Sequence, residues 1–204
     1  MNMKVGIRIE DKYEAERRVP ITPEHAKRLI EKHGVKVFVQ PCNKRVFPNQ
    51  DYIDVGANVV EHLSEPKTIF GIKEVPIPAL EEGKTYMFFS HTIKGQPYNM
   101  PMLKRMVELK CSLLDYERVV DEQNRRLIFF GKFAGLAGMI NSLWSLGLRL
   151  EEKGITNPFS SLQQTHRYPS LEEAKKAIIK VSEQIKIEGL PQEISPLEIG
   201  FTGY

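Results

Sequence analysis

Short apolar runs alternate with segments of helical periodicity along most of this chain. Most of these runs are apolar throughout, which is typical of strands that are covered on both faces. The alternation predicts an α/β fold with a mainly parallel sheet. The predicted strands are residues 4–9, 36–40, 58–61, 68–73, 85–91, 112–116 and 126–130.

Helix signals are clearest between the first two predicted strands. Thr22 is placed to cap a helix that has Pro23 at its first position, and Gly34 follows its last turn. Ser170 is placed to cap another helix near the end of the chain. Besides the helix that begins at Pro23, helices are predicted over residues 97–109, 133–153 and 171–187.

The helix predicted from Phe133 contains a run of small residues, Ala134, Gly135, Ala137 and Gly138. A glycine inside a helix costs roughly 1 kcal/mol relative to alanine. The run therefore predicts that another backbone approaches closely, and helix packing is favoured over the lining of a cleft. On that interpretation, replacing Gly138 by leucine destabilises the chain through overpacking.

Composition indicates an ordinary globular protein. The chain has 204 residues, of which 41% are hydrophobic and 27% charged. The net charge of +3 is mild and the two signs are interleaved, so a nucleic-acid partner is not expected. Cys42 and Cys111 lack ligand-like neighbours, so they suggest no disulfide framework or metal site and fit a reducing compartment. No signal peptide or membrane-spanning segment is recognised, which indicates a cytoplasmic protein without a membrane partner.

Ionisable side chains follow two neighbouring predicted strands. Lys73 and Glu74 come at the end of one strand, and His91 ends the next. The carboxyl ends of parallel strands face one crevice, so these residues are candidates for a shared proton-handling site. The alternative is that Lys73 and Glu74 are only the polar end of a strand, and that His91 is a hydrogen-bonded structural group. From the residues alone, that alternative is favoured for the Lys73 and Glu74 pair.

Other charged residues near predicted strand ends extend this candidate site. Arg17 and Arg18 follow the first strand, where an arginine could bind a substrate carboxylate through two parallel hydrogen bonds. The alternative is a solvated run of charge paired with neighbouring glutamates. Glu117 follows the strand predicted over residues 112–116, and Asp115 is equally plausible on spacing.

The sequence ends in an apolar segment that leads into a glycine, Gly203. This is how the first strand of a dinucleotide-binding unit enters its phosphate turn, so Gly203 is the candidate cofactor-binding residue. Such a turn needs further glycines, which do not follow. The isolated chain is therefore expected to bind dinucleotides at best weakly and not to catalyse hydride transfer. The strand expected over residues 199–202 lacks sheet neighbours, and we expect it to be mobile or paired with another subunit.

Six segments, taken in order, resemble a single family. They are residues 16–23 (ERRVPITP), 39–41 (VQP), 45–48 (RVFP), 71–76 (GIKEVP), 89–94 (FSHTIK) and 130–138 (FGKFAGLAG). Together they resemble the N-terminal part of the lysine-ketoglutarate reductase, or saccharopine dehydrogenase, family. That family lies within the alanine dehydrogenase and transhydrogenase N-terminal domain superfamily.

The resemblance implies a Rossmann-like three-layer α/β domain with a mainly parallel sheet, plus the start of a truncated dinucleotide-binding domain. The implied division is a substrate domain over residues 1–132, a long crossover helix over 133–154, and the incomplete cofactor domain over 155–204. The implied reaction joins lysine and 2-oxoglutarate reductively into saccharopine, or reverses this, with NADP or NAD as cofactor. These small molecules are the expected partners, and a homo-oligomer or a separate C-terminal domain stays open.

The resemblance also implies roles for individual residues. Lys73 and His91 match the family's acid-base pair, and Arg18 matches the arginine that binds a substrate carboxylate. Glu74 and Glu117 match carboxylates that tune the charge of the site.

Two alternatives of different kinds remain beside this interpretation. One is a domain of the alanine dehydrogenase or transhydrogenase type, although residues 90–94 and 98–101 favour the lysine branch. The other is a non-catalytic domain that binds a ligand or a partner.

Overall fold

The structure is a computed structural model that describes residues 3–202. The chain divides into two compact units, Met1–Phe129 and Phe130–Tyr204. Each unit buries a hydrophobic core of its own. No helix in the described part of the chain is both long enough and apolar enough to span a bilayer.

The first unit is built on a six-stranded sheet with the strand order β3-β2-β1-β4-β5-β6. Neighbouring strands pair in parallel throughout this sheet, so their carboxyl ends lie at one edge. The predicted Rossmann-like α/β fold is thereby confirmed. The strands are β1 (Lys4–Ile7), β2 (Lys36–Val39), β3 (Asn58–Val59), β4 (Thr68–Phe70), β5 (Thr85–Phe88) and β6 (Ser112–Asp115).

Helices cover both faces of this sheet. On one face, α1 (Pro23–His33) and α2 (Asn49–Asp54) bury Ala26 and Tyr52 against β1 and β2. On the other face, α3 (Met100–Glu108) buries Met102 and Met106 against β4 and β5.

The predicted ends of α1 are confirmed. The Thr22 side chain accepts a hydrogen bond from the His25 amide, and Pro23 occupies the first helical position. Gly34 ends the helix with φ of 61°, a left-handed conformation that glycine adopts without steric cost.

Residues 126–130 form no sheet strand, so that prediction is wrong. Arg126 makes only an isolated antiparallel bridge to Val120, across a turn in which the Asp121 side chain accepts backbone hydrogen bonds. The apolar side chains of Leu127 and Phe129 are 59% and 62% exposed. The apolar pattern of this segment therefore does not reflect burial in the sheet.

The second unit packs two long helices around a small core. These helices are α4 (Gly131–Glu152) and α5 (Leu171–Glu188), as the sequence predicts. Ser170 caps α5 by accepting a hydrogen bond from the Glu173 amide. The core of this unit contains Leu150, Phe159, Leu162 and Val181.

The strand expected over residues 199–202 is not formed in the structure. Ile199 and Phe201 are 48% and 81% exposed, and a strand needs a neighbouring strand to satisfy its backbone. Gly203, the candidate cofactor-binding residue, lies outside the described residues.

The close backbone approach in α4 occurs at Gly147 rather than at the predicted run of small residues. A Cβ built on Gly147 would lie 2.9 Å from the carbonyl carbon of Phe159 and 2.9 Å from its oxygen. A Cβ built on Gly135 or Gly138 would meet no other described atom of the same unit within 4 Å, apart from its chain neighbours and the backbone of its own helix. The expected overpacking by Gly138→Leu therefore loses its basis.

We expect Gly147→Ala to lower the free energy of unfolding by about 1 to 3 kcal/mol, because the added methyl group pushes against the Phe159 backbone. Gly138→Ala, in an open position of the same helix, is the matched control and should raise it by about 0.5 to 1 kcal/mol. Urea denaturation of both variants measures the difference. Equal effects of the two substitutions would contradict the packing at Gly147.

Candidate active site

The Glu74 carboxylate is the centre of a polar cluster at the carboxyl edge of the sheet. Its side chain is only 4% exposed. Oε1 accepts a hydrogen bond of 2.9 Å from Asn99 Nδ2 and lies 2.8 Å from His91 Nδ1, while Oε2 lies 3.0 Å from Lys12 Nζ. Lys12 lies in the connection that follows β1, whereas His91 and Asn99 both lie in the connection between β5 and α3. Two connections thus supply the partners of this carboxylate.

Electrostatics keep Glu74 ionised. Burial acts to raise the pKa of Glu74, but the hydrogen bonds from Asn99 and His91, together with Lys12, lower it to about 2. An ionised carboxylate can only accept hydrogen bonds, so Nδ1 of His91 carries the proton in this contact. The Nε2 atom on the other side of the ring is then available for a hydrogen bond with a ligand.

His91 is held in an unusual backbone conformation. Its φ is 50°, in the left-handed region that residues other than glycine seldom adopt. Its ring stacks on that of Phe89, with 6.4 Å between centroids and 18° between planes. The neighbouring Ser90 hydroxyl donates a hydrogen bond to Asp115 and contacts Thr92 at 2.7 Å. The histidine side chain remains 32% exposed, so it is fixed but accessible.

The segment that carries Lys73 and Glu74 is fixed by Glu10. The buried Glu10 carboxylate accepts hydrogen bonds from the Ile72 amide at 2.7 Å and the Lys73 amide at 3.0 Å. Burial raises the pKa of Glu10, and these two amides and the Arg8 guanidinium oppose that shift. Gly71 is needed beside this contact, because a Cβ there would lie 3.1 Å from Arg8 Cδ and 3.3 Å from Glu10 Oε1.

Lys73 and Lys12 both lie beside the Tyr13 ring. Lys73 Nζ is 5.9 Å from the ring centroid, and Lys12 Nζ is 5.4 Å from it. Lys12 Nζ is also 5.9 Å from the Tyr98 ring centroid. These are cation–π distances, and they place the two ammonium groups beside one aromatic ring. Of the two, Lys12 contacts the Glu74 carboxylate.

Arg18 pairs with Glu16 in a two-point contact. Arg18 Nε and Nη2 donate to the two carboxylate oxygens of Glu16 at 2.7 and 2.6 Å. Burial acts to raise the pKa of Glu16, but these bonds and the nearby charge of Lys73 give a net lowering. Glu16 thus orients the Arg18 guanidinium. The Arg18 side chain is 43% exposed, so it remains accessible to a ligand in solution. Arg17 instead donates to the backbone carbonyl of Lys44 at 3.1 Å.

Glu117 has its own partners at the end of β6. Its carboxylate lies 3.4 Å from Arg126 Nη1, and its amide donates to Asp115 Oδ1 at 2.8 Å. Asp115, which the spacing made equally plausible, is buried and bonded to Ser90, the residue before His91. Asp115 therefore contacts the segment that carries His91, whereas Glu117 pairs with Arg126.

Sequence reasoning missed three members of this cluster, Glu10, Lys12 and Asn99. Glu10 and Lys12 follow the first strand just as Lys73 follows β4, so the strand-end argument could have found them. Asn99 lies in a short helical turn, Pro97–Asn99, and no sequence signal points to its contact with Glu74.

A cavity of about 280 Å³ adjoins the cluster. Lys12, Glu74, Tyr98 and Asn99 contribute its polar lining, and apolar side chains such as Met102 complete it. A larger cavity of about 420 Å³ is lined by Arg8 and other residues, but by none of Lys73, Glu74, Asn99 or His91. We therefore associate the smaller cavity with the candidate site.

The described residues do not form a recognisable dinucleotide site. Between residues 3 and 202, no strand runs through a glycine-rich turn directly into a helix, as a pyrophosphate site requires. In the same range, no group of three or more His, Cys, Asp or Glu side chains could hold a metal ion.

Residues 6–137 match the family model described as alanine dehydrogenase/PNT, N-terminal domain. The chain is 40% identical over 199 residues to the mitochondrial alpha-aminoadipic semialdehyde synthase of Mus musculus, covering 98% of this chain and 21% of that protein. It is 41% identical over 209 residues to the alpha-aminoadipic semialdehyde synthase of Arabidopsis thaliana, covering 99% and 20%. The chain thus spans about a fifth of the length of these two relatives.

Two further similarities are to proteins named as dehydrogenases. The saccharopine dehydrogenase [NAD(+), L-lysine-forming] of Yarrowia lipolytica is 33% identical over 141 residues, covering 67% of this chain and 38% of that protein. A solved structure of an L-alanine dehydrogenase superposes with a TM-score of 0.59 at 17% identity, covering 92% of this chain and 58% of that chain. The latter likeness shows the shared fold.

We expect Glu74→Gln to destabilise the chain most above about pH 4.5 and progressively less as the pH falls towards about 2. The pKa of this carboxyl is lowered in the folded state, so its stabilisation is present when it is ionised and is lost as it takes up a proton. At neutral pH the loss should be on the order of 2 kcal/mol. Denaturant unfolding of both proteins from neutral to acidic pH measures this difference.

Glu65→Gln is the control, because it removes an exposed carboxylate that pairs with Lys4 at 2.6 Å. Solvent screens that pair, so the control should show a smaller dependence on pH. A constant difference between wild type and Glu74→Gln across this pH range would contradict the ionised, buried state of Glu74.

Proposed function

Because this chain belongs to the alanine dehydrogenase/PNT N-terminal domain family, we propose that it forms the substrate-binding and proton-handling part of an oxidoreductase of lysine metabolism. The proposed reaction condenses lysine with 2-oxoglutarate reductively into saccharopine, or runs in reverse. The observation that carries the proposal is the contact between His91 and the buried, ionised Glu74, on the loop that also carries Lys73. The names of the relatives, which include saccharopine dehydrogenase, support the choice of substrates.

Arg18 anchors a substrate carboxylate in this proposal. Its guanidinium is oriented by Glu16, and a planar guanidinium matches a carboxylate through two parallel hydrogen bonds. Both 2-oxoglutarate and saccharopine carry several carboxylates. Anchoring one of them would bring the reacting carbon towards Lys73 and His91, and such positioning is a large part of catalysis.

Lys73 and His91 exchange the protons of the reaction. When the lysine amine attacks the keto carbon of 2-oxoglutarate, the carbinolamine must gain and lose protons before water leaves. His91 can use Nε2 for this, because Glu74 holds Nδ1. Lys73 supplies a second group that can accept or donate a proton. Lys73 also lies near Lys12, beside the Tyr13 ring, and near Glu16, whose pKa the Lys73 charge lowers.

Glu117 takes part in this proposal only indirectly. Its carboxylate pairs with Arg126, and its amide is joined to Asp115, which bonds Ser90 beside His91. It therefore adds negative charge to the same sheet edge and supports the end of β6.

The proposed enzyme uses a nicotinamide cofactor, with NAD and NADP both open. The described residues do not supply a phosphate turn, so we assign no step of hydride transfer to them. That residues 155–204 begin a cofactor domain is part of this proposal, as is a cytoplasmic location. The proposal also includes either assembly into a homo-oligomer or completion by a separate C-terminal domain.

Titration of the chain with ligands, followed by NMR, tests this function. Saccharopine should shift the resonances of Arg18, Lys73 and His91, and it should bind more tightly than lysine or 2-oxoglutarate because it carries the groups of both. Pyruvate and alanine serve as comparison ligands for the alanine dehydrogenase alternative. Binding of these two in place of the lysine-pathway ligands, or shifts confined to other regions, would overturn the proposal.

We expect Arg18→Lys to weaken the binding of 2-oxoglutarate about tenfold, because an ammonium group cannot form the two parallel hydrogen bonds. Arg17→Lys is the matched control, since the neighbouring guanidinium contacts the Lys44 backbone. Calorimetric titration of both variants gives the comparison. The same loss in both variants would show that Arg18 has no specific role in binding this ligand.

A further inference from the structure

Asn99 is a buried side chain that contacts both halves of the Glu74 and His91 pair. It is 3% exposed and lies immediately before α3. Its side-chain Nδ2 lies 2.9 Å from Glu74 Oε1, 2.9 Å from the Ser90 carbonyl oxygen and 3.4 Å from the His91 carbonyl oxygen. One amide group thus touches the carboxylate and the backbone of the histidine loop.

The orientation of this amide follows from its surroundings. All three neighbouring atoms are hydrogen-bond acceptors, so the NH₂ group must face them. A flipped amide would direct its oxygen at an ionised carboxylate and two carbonyls. That arrangement would leave buried polar atoms unpaired, which is costly.

The backbone of His91 needs support of this kind. Its φ of 50° lies in the left-handed region, which is unfavourable for a residue with a side chain, so surrounding contacts must hold it. The Ser90 and His91 carbonyls belong to the two peptide groups that flank the histidine Cα. Asn99 contacts both of them, while the Ser90 hydroxyl is held separately by Asp115.

We propose that Asn99 is the positioning residue that fixes His91 Nδ1 against Glu74, by joining the carboxylate to the two peptide groups around His91. This keeps the imidazole in the tautomer that has its proton on Nδ1 and leaves Nε2 to the substrate. The proposal that this positioning serves catalysis rests on the proposed function. The positioning itself does not require a substrate and can be measured without one.

The experiment compares the imidazole tautomers of wild type and Asn99→Ala in the full chain. They are read from the ¹⁵N resonances of His91 at about pH 8.5, where an ordinary imidazole is neutral. Asn99→Ala should reduce the ratio of the Nδ1-protonated to the Nε2-protonated form about tenfold. The Glu74 carboxyl should also titrate at a higher pH than in wild type, because a donor that lowers its pKa is gone.

Asn157→Ala is the matched control. Asn157 is also a buried asparagine, and its Nδ2 donates to the backbone carbonyls of Gly147 and Ile155, each at 3.2 Å, in the second unit. This variant should lose stability without a change in the His91 tautomer ratio. An unchanged ratio in Asn99→Ala, or an equal change in both variants, would overturn the proposal.

A measurement on the wild type decides the matter if Asn99→Ala does not fold. The Asn99 side-chain amide protons should exchange with solvent at least tenfold more slowly than those of the exposed Asn43. Nδ2 of Asn99 should also show a coupling across the hydrogen bond to the Ser90 carbonyl carbon. Fast exchange without this coupling would refute the positioning role. Failure of saccharopine to bind would instead refute the proposed function and leave these NMR results unaffected.

Discussion

The buried carboxylate of Glu74 is the constraint on which the candidate site depends. An ionised group inside a protein is tolerated only when charges and hydrogen bonds replace the water that it loses. Here these replacements come from Lys12, after β1, and from His91 and Asn99, both between β5 and α3. The carboxylate can therefore be buried only when these segments are in place. Folding of the first unit and assembly of the site are one process.

The parallel sheet brings the segments that follow its strands to one edge, and Gly71 allows two of these segments to pack closely together. β1 and β4 are neighbours, so the segments that follow them leave the sheet side by side. Gly71 allows Arg8 and Glu10 to lie across the end of β4, where Glu10 binds the amides of Ile72 and Lys73. On the side of β1, this contact replaces the hydrogen bonds of a longer strand. It explains why β4 ends at Phe70 and why Lys73 and Glu74 lie in a loop.

The sequence predicted the sheet, the main helices and the residues at the strand ends, because these follow from periodicity and from the rules of parallel sheets. Asn99 was not predictable, since its contacts depend on the path of two loops. The close approach at Gly147 was also missed, because Gly135, Gly138 and Gly147 look alike in sequence. Only the position of the Phe159 backbone distinguishes them.

Glu10 and Glu74 show how one residue type serves two purposes in the same region. Both are buried, and burial acts to raise the pKa of each. Glu10 accepts hydrogen bonds mainly from neutral backbone amides, and its pKa is raised overall. Glu74 contacts the side chains of Lys12 and His91, and its pKa is lowered overall. A carboxylate such as Glu10, whose ionised form is disfavoured by burial, is suited to a structural contact with backbone amides. A carboxylate that keeps its charge can accept a hydrogen bond from an imidazole and orient it, so Glu74 rather than Glu10 is suited to position His91.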